Sequence, residues 1–236
     1  MKKELPRTVL LHKNPESLAQ NIKAHFPNLP LILIDNYSDV PQSLRKEKPE
    51  VFFAFKTGEE DQFPRSAVLN CESIKWIQAS GAGVDHWTPW DPTIVTVTNA
   101  SGIHAEIMAQ YTTWAILNQK LGFPRMAERQ SQKKWDKKLL ESVVGQTLVI
   151  VGYGRIGKEV GRLAKTIGLK VIGVRKRPSP CPYADEVVSN CDLRNALGKA
   201  DFILNVLPLT EETRGFFNTD IFHSIKKGAY LINTGR

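Results

Sequence analysis

A glycine-rich turn between a strand and a helix constrains this sequence more than any other feature. The apolar run Thr147–Val151 is followed by Gly152, Gly154 and Gly157 in G-x-G-x-x-G spacing, and a helical pattern follows the glycines. The first glycine permits a tight turn, the second lets the backbone approach a pyrophosphate, and the third lets helix and strand pack closely. Because the free amides of a helix N-terminus attract phosphate, this context favours a dinucleotide-binding βαβ unit over a glycine turn that only packs.

The first hundred residues alternate short apolar runs with helix-like stretches. Leu18, Ile22 and Phe26 recur every four residues, which is the spacing of one helical face. The candidate strands are short and rich in β-branched or aromatic residues, and they cover residues 8–11, 31–34, 51–55, 74–77 and 94–97. Such an alternation predicts an α/β fold, with a parallel sheet covered by helices.

The same alternation returns in the second half, after a long helix. Apolar residues at steps of four, four, three and three predict an amphipathic helix that ends near Gly122, and these residues are Ile103, Ile107, Tyr111, Trp114 and Leu117. Further strands are predicted at residues 147–151, 169–174, 186–188, 201–206 and 229–233. We place a domain boundary near residue 100, where the long helix begins.

Composition excludes several classes of protein. No run approaches the roughly 20 apolar residues that a membrane helix needs, and the start, Met1–Pro6, lacks the apolar stretch of a signal peptide. The three cysteines, Cys71, Cys181 and Cys191, are odd in number and lack CxxC spacing, which argues against a disulfide framework and against a zinc site. We therefore expect a soluble cytoplasmic protein with no metal.

The basic residues after the predicted second strand of the βαβ unit bear on the choice of cofactor. An Asp or Glu about 20 residues beyond the glycines would hold the ribose 2′-hydroxyl of NAD, but the sequence there reads Arg175, Lys176 and Arg177. Arginine can clamp a 2′-phosphate through paired hydrogen bonds. This pattern favours NADP and leaves NAD possible, because a solvated basic loop would tolerate either cofactor.

The formal net charge of +8 raises the question of nucleic acid. The basic residues are divided between residues 125–138 and the loop of residues 175–177, and no zinc, helix-turn-helix or aromatic-basic RNA motif accompanies them. We expect no nucleic-acid partner.

Four segments together resemble the D-isomer-specific 2-hydroxyacid dehydrogenase family, which includes glyoxylate/hydroxypyruvate reductases and phosphoglycerate dehydrogenases. They are Ala79–Asp85, Asn99–Gly102, Gly152–Gly157, and residues 200–213 with residues 228–236. The resemblance implies that residues 1–100 form a flavodoxin-like substrate domain. It implies that residues 101–236 form a Rossmann-type doubly wound NAD(P)-binding domain that lacks the last strands and the C-terminal return helix.

The resemblance also implies roles for individual residues. Backbone amides of Ala82 and Gly83 would bind a substrate carboxylate, although that loop also reads as an ordinary strand-ending turn. Arg236 of the N-x-x-R motif would be the catalytic residue that holds carboxylate and carbonyl and stabilises developing oxygen charge; without the family it would read as a solvated arginine. Arg155 and Ile156 would present amides to the pyrophosphate. The other residues implied to line the cofactor are Leu207, Pro208, Thr213, Thr234 and Gly235.

The activity implied by the resemblance is hydride transfer between a nicotinamide cofactor and C2 of a small D-2-hydroxy or 2-oxo acid. In the family a glutamate and a histidine beyond Arg236 form the proton relay. We therefore expect a truncated form that is weak or inactive, since loss of a general acid costs about 10²–10⁴-fold in rate. The alternative is a catalytically silent NAD(P)-binding protein with a regulatory or corepressor-like role.

The resemblance further implies a homodimer with the helix from Ile103 near the interface. The other reading of that apolar stripe is a helix buried within its own domain.

Overall fold

The computed structural model describes residues 4–55, 62–135, 137 and 139–235. The chain divides into two compact units, Met1–Ser101 and Gly102–Arg236, and each unit is built around its own parallel sheet.

The first unit contains a five-stranded sheet with the order β2-β1-β3-β4-β5, in which each described pairing is parallel. Its strands are β1 (Thr8–Leu11), β2 (Leu31–Ile34), β3 (Val51–Ala54), β4 (Trp76–Ala79) and β5 (Thr96–Thr98). Its helices are α1 (Pro15–His25), α2 (Val40–Glu47) and α3 (Arg65–Leu69). This is the flavodoxin-like strand order.

Two strands of this sheet begin two residues later than the sequence pattern predicts. The predicted strands at residues 74–77 and 94–97 lie at Trp76–Ala79 and Thr96–Thr98. Ile74 and Val95 are buried, but their amides donate within turns, to the carbonyls of Cys71 and Asp91 respectively. Burial in the core, rather than pairing in the sheet, therefore explains the apolar character of these two positions.

The second unit contains a five-stranded parallel sheet with the order β10-β9-β6-β7-β8. Its strands are β6 (Thr147–Val151), β7 (Lys170–Val174), β8 (Glu186–Val188), β9 (Phe202–Asn205) and β10 (Tyr230–Asn233). Its helices are α4 (Ala105–Leu121), α5 (Phe123–Ser131), α6 (Arg155–Thr166), α7 (Leu193–Lys199) and α8 (Thr219–His223). Counted within the unit, this order is that of the Rossmann doubly wound sheet, so the predicted α/β class is confirmed.

The sheet of the second unit is buried on both faces. One apolar cluster contains Leu148 and Ile150 of β6 together with residues of α4 and α6, and the other contains Val149 and Val151 together with residues of α7. Alternate residues of β6 thus face opposite layers of helices, which is why this strand is a continuous apolar run.

The buried face of helix α4 is not the face that carries most of its large apolar residues. It packs along α6 through small or medium side chains, and its buried residues are Ala109, Thr112, Ala115 and Ile116. Four residues of the apolar stripe are 51–68% exposed, namely Ile103, Ile107, Tyr111 and Trp114. One face of α4 is therefore buried within its own unit, as one of the two readings expected, while these four residues of the stripe lie outside that contact. Within the described ranges, no helix combines the length and the apolar character needed to cross a membrane.

Candidate functional site

The glycine turn after β6 has the geometry of a close backbone crossing. Gly152 has a φ of +100°, a conformation that side chains other than glycine rarely adopt. A Cβ at Gly152 would lie 2.9 Å from the carbonyl carbon of Val206 and 3.0 Å from the amide nitrogen of Leu207. The amide of Gly152 donates to the Val174 carbonyl at 3.1 Å. The turn is thus fixed between the ends of β7 and β9.

The other two glycines of the motif have different surroundings. A Cβ at Gly154 would have one neighbour within 4 Å, the Gly152 carbonyl oxygen at 3.8 Å, so the space beside Gly154 is open. A Cβ at Gly157 would lie 3.0 Å from Cγ2 of Ile150, where α6 packs on β6. Within the described part of the chain, the amides of Ile156 and Gly157 have no acceptor. Open space in front of unpaired helix amides is what a pyrophosphate requires, so the residues present fit a dinucleotide.

Tyr153, between the first two glycines, is a buried anchor that the sequence analysis did not find. Its side chain is 1% exposed, and its ring occupies the space beside Gly173 of β7, where a Cβ would overlap Cγ of the tyrosine. The Tyr153 hydroxyl donates to Sγ of Cys181 at 3.6 Å. Burial, followed by the contact with Cys181, raises the pKa of Tyr153 well above its ordinary value, so this hydroxyl stays neutral. The signal available in the sequence was a glycine inside a strand, which marks close approach of another group.

The basic loop after β7 is ordered by contacts on both sides. The amide of Arg175 donates to the Val188 carbonyl at 3.1 Å, and its guanidinium lies 3.4 Å from Oγ of Ser179. Nζ of Lys176 lies 3.0 Å from both carboxylate oxygens of Glu212, and both of these side chains are more than 70% exposed. Arg177 is exposed. Since β7 and β9 are the two neighbours of β6, the Lys176–Glu212 pair joins the loops on either side of the glycine turn.

The loop after β9 is closed by two threonines. Oγ1 of Thr213 accepts from the Thr210 amide at 2.8 Å and donates to the Pro208 carbonyl, and the Thr213 amide donates to Oγ1 of Thr210 at 3.2 Å. These bonds set a compact turn that presents Glu212 toward Lys176. Thr213 was assigned from the resemblance, but Glu212 could not be found from the sequence, because nothing local distinguishes it from Glu211.

A pair of asparagines links the ends of β9 and β10. Nδ2 of Asn205 donates to Oδ1 of Asn233 at 3.0 Å, and Oδ1 of Asn205 accepts from the Leu207 amide at 3.2 Å. The amides of Thr234 and Gly235 both donate to the Asn205 carbonyl, at 2.9 and 3.0 Å. The predicted cofactor-lining residues after β9 and those after β10 are therefore joined through Asn205. Arg236, the predicted catalytic residue, lies outside the described residues.

In the first unit, the loop after β4 carries Ala82 and Gly83. The Asn99 side chain donates to the Ala82 carbonyl at 2.8 Å, and the Ala100 amide donates to the Gly81 carbonyl at 3.0 Å. Within the described part of the chain, neither the Ala82 nor the Gly83 amide donates a hydrogen bond. The carbonyls of this loop are hydrogen-bonded and hold it in place, whereas its two amides remain able to donate to an anion. Asn99, which pins this loop, was missed as a functional residue.

Other site types find no support among the described residues. No group of three or more histidine, cysteine or acidic side chains that could hold a metal occurs there, and Cys71, Cys181 and Cys191 are free thiols.

Comparison with known proteins agrees with this geometry. The family model described as D-isomer specific 2-hydroxyacid dehydrogenase, NAD binding domain, matches residues 113–236. A hydroxypyruvate reductase from Thermotoga maritima is 30% identical over 169 residues, which are 70% of this chain and 54% of that protein. The matched region thus spans about half the length of this curated relative.

Solved structures show the same fold. A D-isomer specific 2-hydroxyacid dehydrogenase family protein from Aeromonas salmonicida is 29% identical with a TM-score of 0.82, covering 98% of this chain and 73% of that one. An NADPH-dependent glyoxylate/hydroxypyruvate reductase from Sinorhizobium meliloti, solved with NADP and sulfate, is 23% identical with a TM-score of 0.77 over the same shares of the two chains.

Proposed function

Because this chain belongs to the D-isomer specific 2-hydroxyacid dehydrogenase family, we propose that it serves hydride transfer between a nicotinamide dinucleotide and C2 of a small 2-oxo or 2-hydroxy acid. The observation that carries the proposal is the glycine turn, which combines open space beside Gly154 with amides of Ile156 and Gly157 that have no acceptor among the described residues. The hydroxypyruvate reductase from Thermotoga maritima supports the class of substrate.

The residues of the second unit divide the work of holding the dinucleotide. When bound, the nicotinamide ring supplies or accepts the hydride. The helix amides at Ile156 and Gly157 hold the pyrophosphate by direct donation and by the positive end of the helix dipole. The segments after β9 and β10, carrying Leu207–Pro208 and Thr234–Gly235, line the far side of the turn.

The substrate needs donors for a carboxylate and for a carbonyl oxygen. We assign the first task to the Ala82 and Gly83 amides, which are unpaired within the described residues and are held in place by Asn99. We assign the second to Arg236, whose planar fork can bind carboxylate and carbonyl together and stabilise the charge that develops on oxygen.

The preferred cofactor in this proposal is NADP. Arg175, Lys176 and Arg177 supply three cations at the end of β7, where an NAD-specific protein would carry a carboxylate. A dianionic 2′-phosphate is attracted by all three, and NAD gains nothing comparable.

The decisive experiment is a titration of the chain with NADPH, followed by fluorescence, and then addition of glyoxylate or hydroxypyruvate. Binding with oxidation of NADPH supports the proposal. Binding without oxidation favours the silent NAD(P)-binding protein. Absence of nucleotide binding would refute both.

We also propose that the chain forms a homodimer through the exposed face of α4. Ile107, Tyr111 and Trp114 of α4, and Ile103 just before the helix, are all more than half exposed, and a contiguous apolar patch on a protein surface marks an interaction site. The substitution Trp114→Glu is expected to halve the mass measured by light scattering. Gln119→Glu, an equal charge change on an exposed residue of the same helix, should leave the mass unchanged. A wild-type monomer at micromolar concentration would refute the proposal.

A further inference from the structure

The side chain of Asn205 is the centre of a hydrogen-bond network that joins the segments after β9 and β10 in the second unit. It accepts from the Leu207 amide and donates to Oδ1 of Asn233, which also accepts from the Gly235 amide at 3.2 Å. Leu207 in turn lies against the glycine turn, because a Cβ at Gly152 would come within 3.0 Å of its amide nitrogen. The glycine turn and the two chain segments that leave β9 and β10 are thus fixed relative to one another at one point.

The network requires a carboxamide at position 205. One atom of the side chain must accept from Leu207 while another donates to Asn233. An aspartate could accept from Leu207, but it would place an unprotonated oxygen against the Asn233 oxygen. A serine would be too short to span both contacts. Neither substitution removes apolar contacts, so each tests the hydrogen bonds rather than the packing.

The surrounding backbone leaves little freedom for rearrangement. A Cβ at Gly235 would lie 2.8 Å from the Leu207 carbonyl oxygen and 3.3 Å from Nδ2 of Asn205. The Asn205 carbonyl also accepts from the amides of Thr234 and Gly235, and it lies 3.3 Å from Oγ1 of Thr234. The segment that immediately precedes Arg236 therefore packs backbone to backbone against the segment that carries Pro208.

We infer that Asn205 is a positioning residue, whose carboxamide sets the distance between Leu207–Pro208 and Thr234–Gly235. This inference rests on the proposed function in one respect: the effect on substrate binding follows only because residue 236 is proposed to bind the 2-oxo acid. The positioning itself is a property of the unliganded chain and can be measured there.

The first test is amide hydrogen exchange by NMR on the unliganded chain. Asn205→Ser is expected to raise the exchange rates of the Leu207 and Gly235 amides at least about tenfold. Asn205→Asp, which can still accept from Leu207, is expected to raise the exchange rate of Gly235 because it displaces Asn233. The matched control is Asp201→Asn at the opposite end of β9, where the carboxylate accepts from the Thr147 amide at 2.9 Å and from Lys226 at 2.6 Å. This control should raise exchange at Thr147 and leave Leu207 and Gly235 unchanged. Unchanged exchange at Leu207 and Gly235 in both Asn205 variants would overturn the inference.

The second test separates positioning from stability. The chain is saturated with NADPH and titrated with oxalate, a carboxylate analogue of the substrate. Asn205→Asp and Asn205→Ser should weaken oxalate binding at least about tenfold, and by a larger factor than they weaken NADPH binding, because the segments that Asn205 joins also line the cofactor in the proposed function. Asp201→Asn should change neither the oxalate nor the NADPH dissociation constant, even if it lowers the melting temperature as much as the Asn205 variants do. Equal losses of oxalate affinity in the three variants would overturn the inference, since they would reflect instability alone.

Failure of the proposed function has a different signature. A wild-type chain that binds no oxalate, but in which both Asn205 variants show the expected rise in exchange, supports the positioning role and refutes the substrate assignment. Asn205→Ser keeps the outcome readable where Asn205→Asp does not fold, because it introduces no charge.

Discussion

Replacing Glu212 by Gln is expected to tighten NADPH binding without changing NADH binding. The carboxylate lies 3.0 Å from Nζ of Lys176, so a 2′-phosphate must compete with it for this cation. At that distance Coulomb's law gives about 1.4 kcal/mol in a medium with the dielectric constant of water. Since both side chains are more than 70% exposed, the discounted value for exposed pairs, about 0.2–1 kcal/mol, applies. The NADPH dissociation constant should therefore fall by a factor of up to about five.

The assay is calorimetric titration of the wild type and of two variants with NADPH, with NADH and with 2′,5′-ADP. Glu211→Gln is the matched control, because it makes the same charge change one residue away. The gain for NADPH and for 2′,5′-ADP should shrink at high salt, where exposed charges are screened. A gain of equal size for NADH, or for Glu211→Gln, would show that Glu212 acts through net charge and not through Lys176. A loss of NADPH affinity would show that the pair holds Lys176 in place for the phosphate.

Three further outcomes follow from the glycine turn and from the amino end of β9. Gly154→Ala should leave thermal stability almost unchanged, since the position faces open space, yet weaken NADPH binding at least about tenfold in the fluorescence titration. Gly157→Ala should lower the free energy of unfolding in urea by about 1–3 kcal/mol, the usual result of crowding a packed contact. Burial of Asp201 raises the pKa of its carboxyl, but hydrogen bonds from Lys226 and from the Thr147 amide outweigh that effect and hold the pKa below its ordinary value. A lowered pKa in the folded chain means that this stabilisation is present above the unfolded value of about 3.9. It should be lost as the pH falls through the folded pKa, so the urea midpoint of the wild type should fall more below about pH 4 than that of Asp201→Asn.

The fold could be read from the sequence because its strongest signals are local. The apolar run of Thr147–Val151 and the spacing of the glycines after it depend on neighbours in the chain, and both lie where the pattern predicts. The limits of β4 and β5 were less accurate, because buried residues such as Ile74 and Val95 are apolar for the core and pair in turns rather than in the sheet. Hydrophobicity reports burial, and burial does not distinguish a strand from the turn before it.

The partners of individual side chains could not be read in the same way. Asn205 and Asn233 are 28 positions apart, and Lys176 and Glu212 are 36 apart. Both pairs form only because strand order brings the ends of separate strands together. The face of α4 illustrates the same limit, because the pattern located an apolar stripe correctly but could not say whether its own unit covers it.

Strand order also explains why the candidate site lies where it does. The chain leaves β6 for β7 on one side, and β9 then pairs with β6 on the other, so the loops after β7 and β9 diverge on either side of the glycine turn. A parallel sheet creates a crevice at such a switch point whatever its loops contain. The particular residues then decide what the crevice binds: Gly154 keeps it open, the Lys176–Glu212 ion pair joins the loops after β7 and β9, and Asn205 links the segments after β9 and β10. The preference for NADPH over NADH should therefore respond to substitutions in the loop after β7 and at Glu212. Substrate binding should respond to substitutions at Asn205. The cofactor preference and the substrate affinity should vary independently of each other.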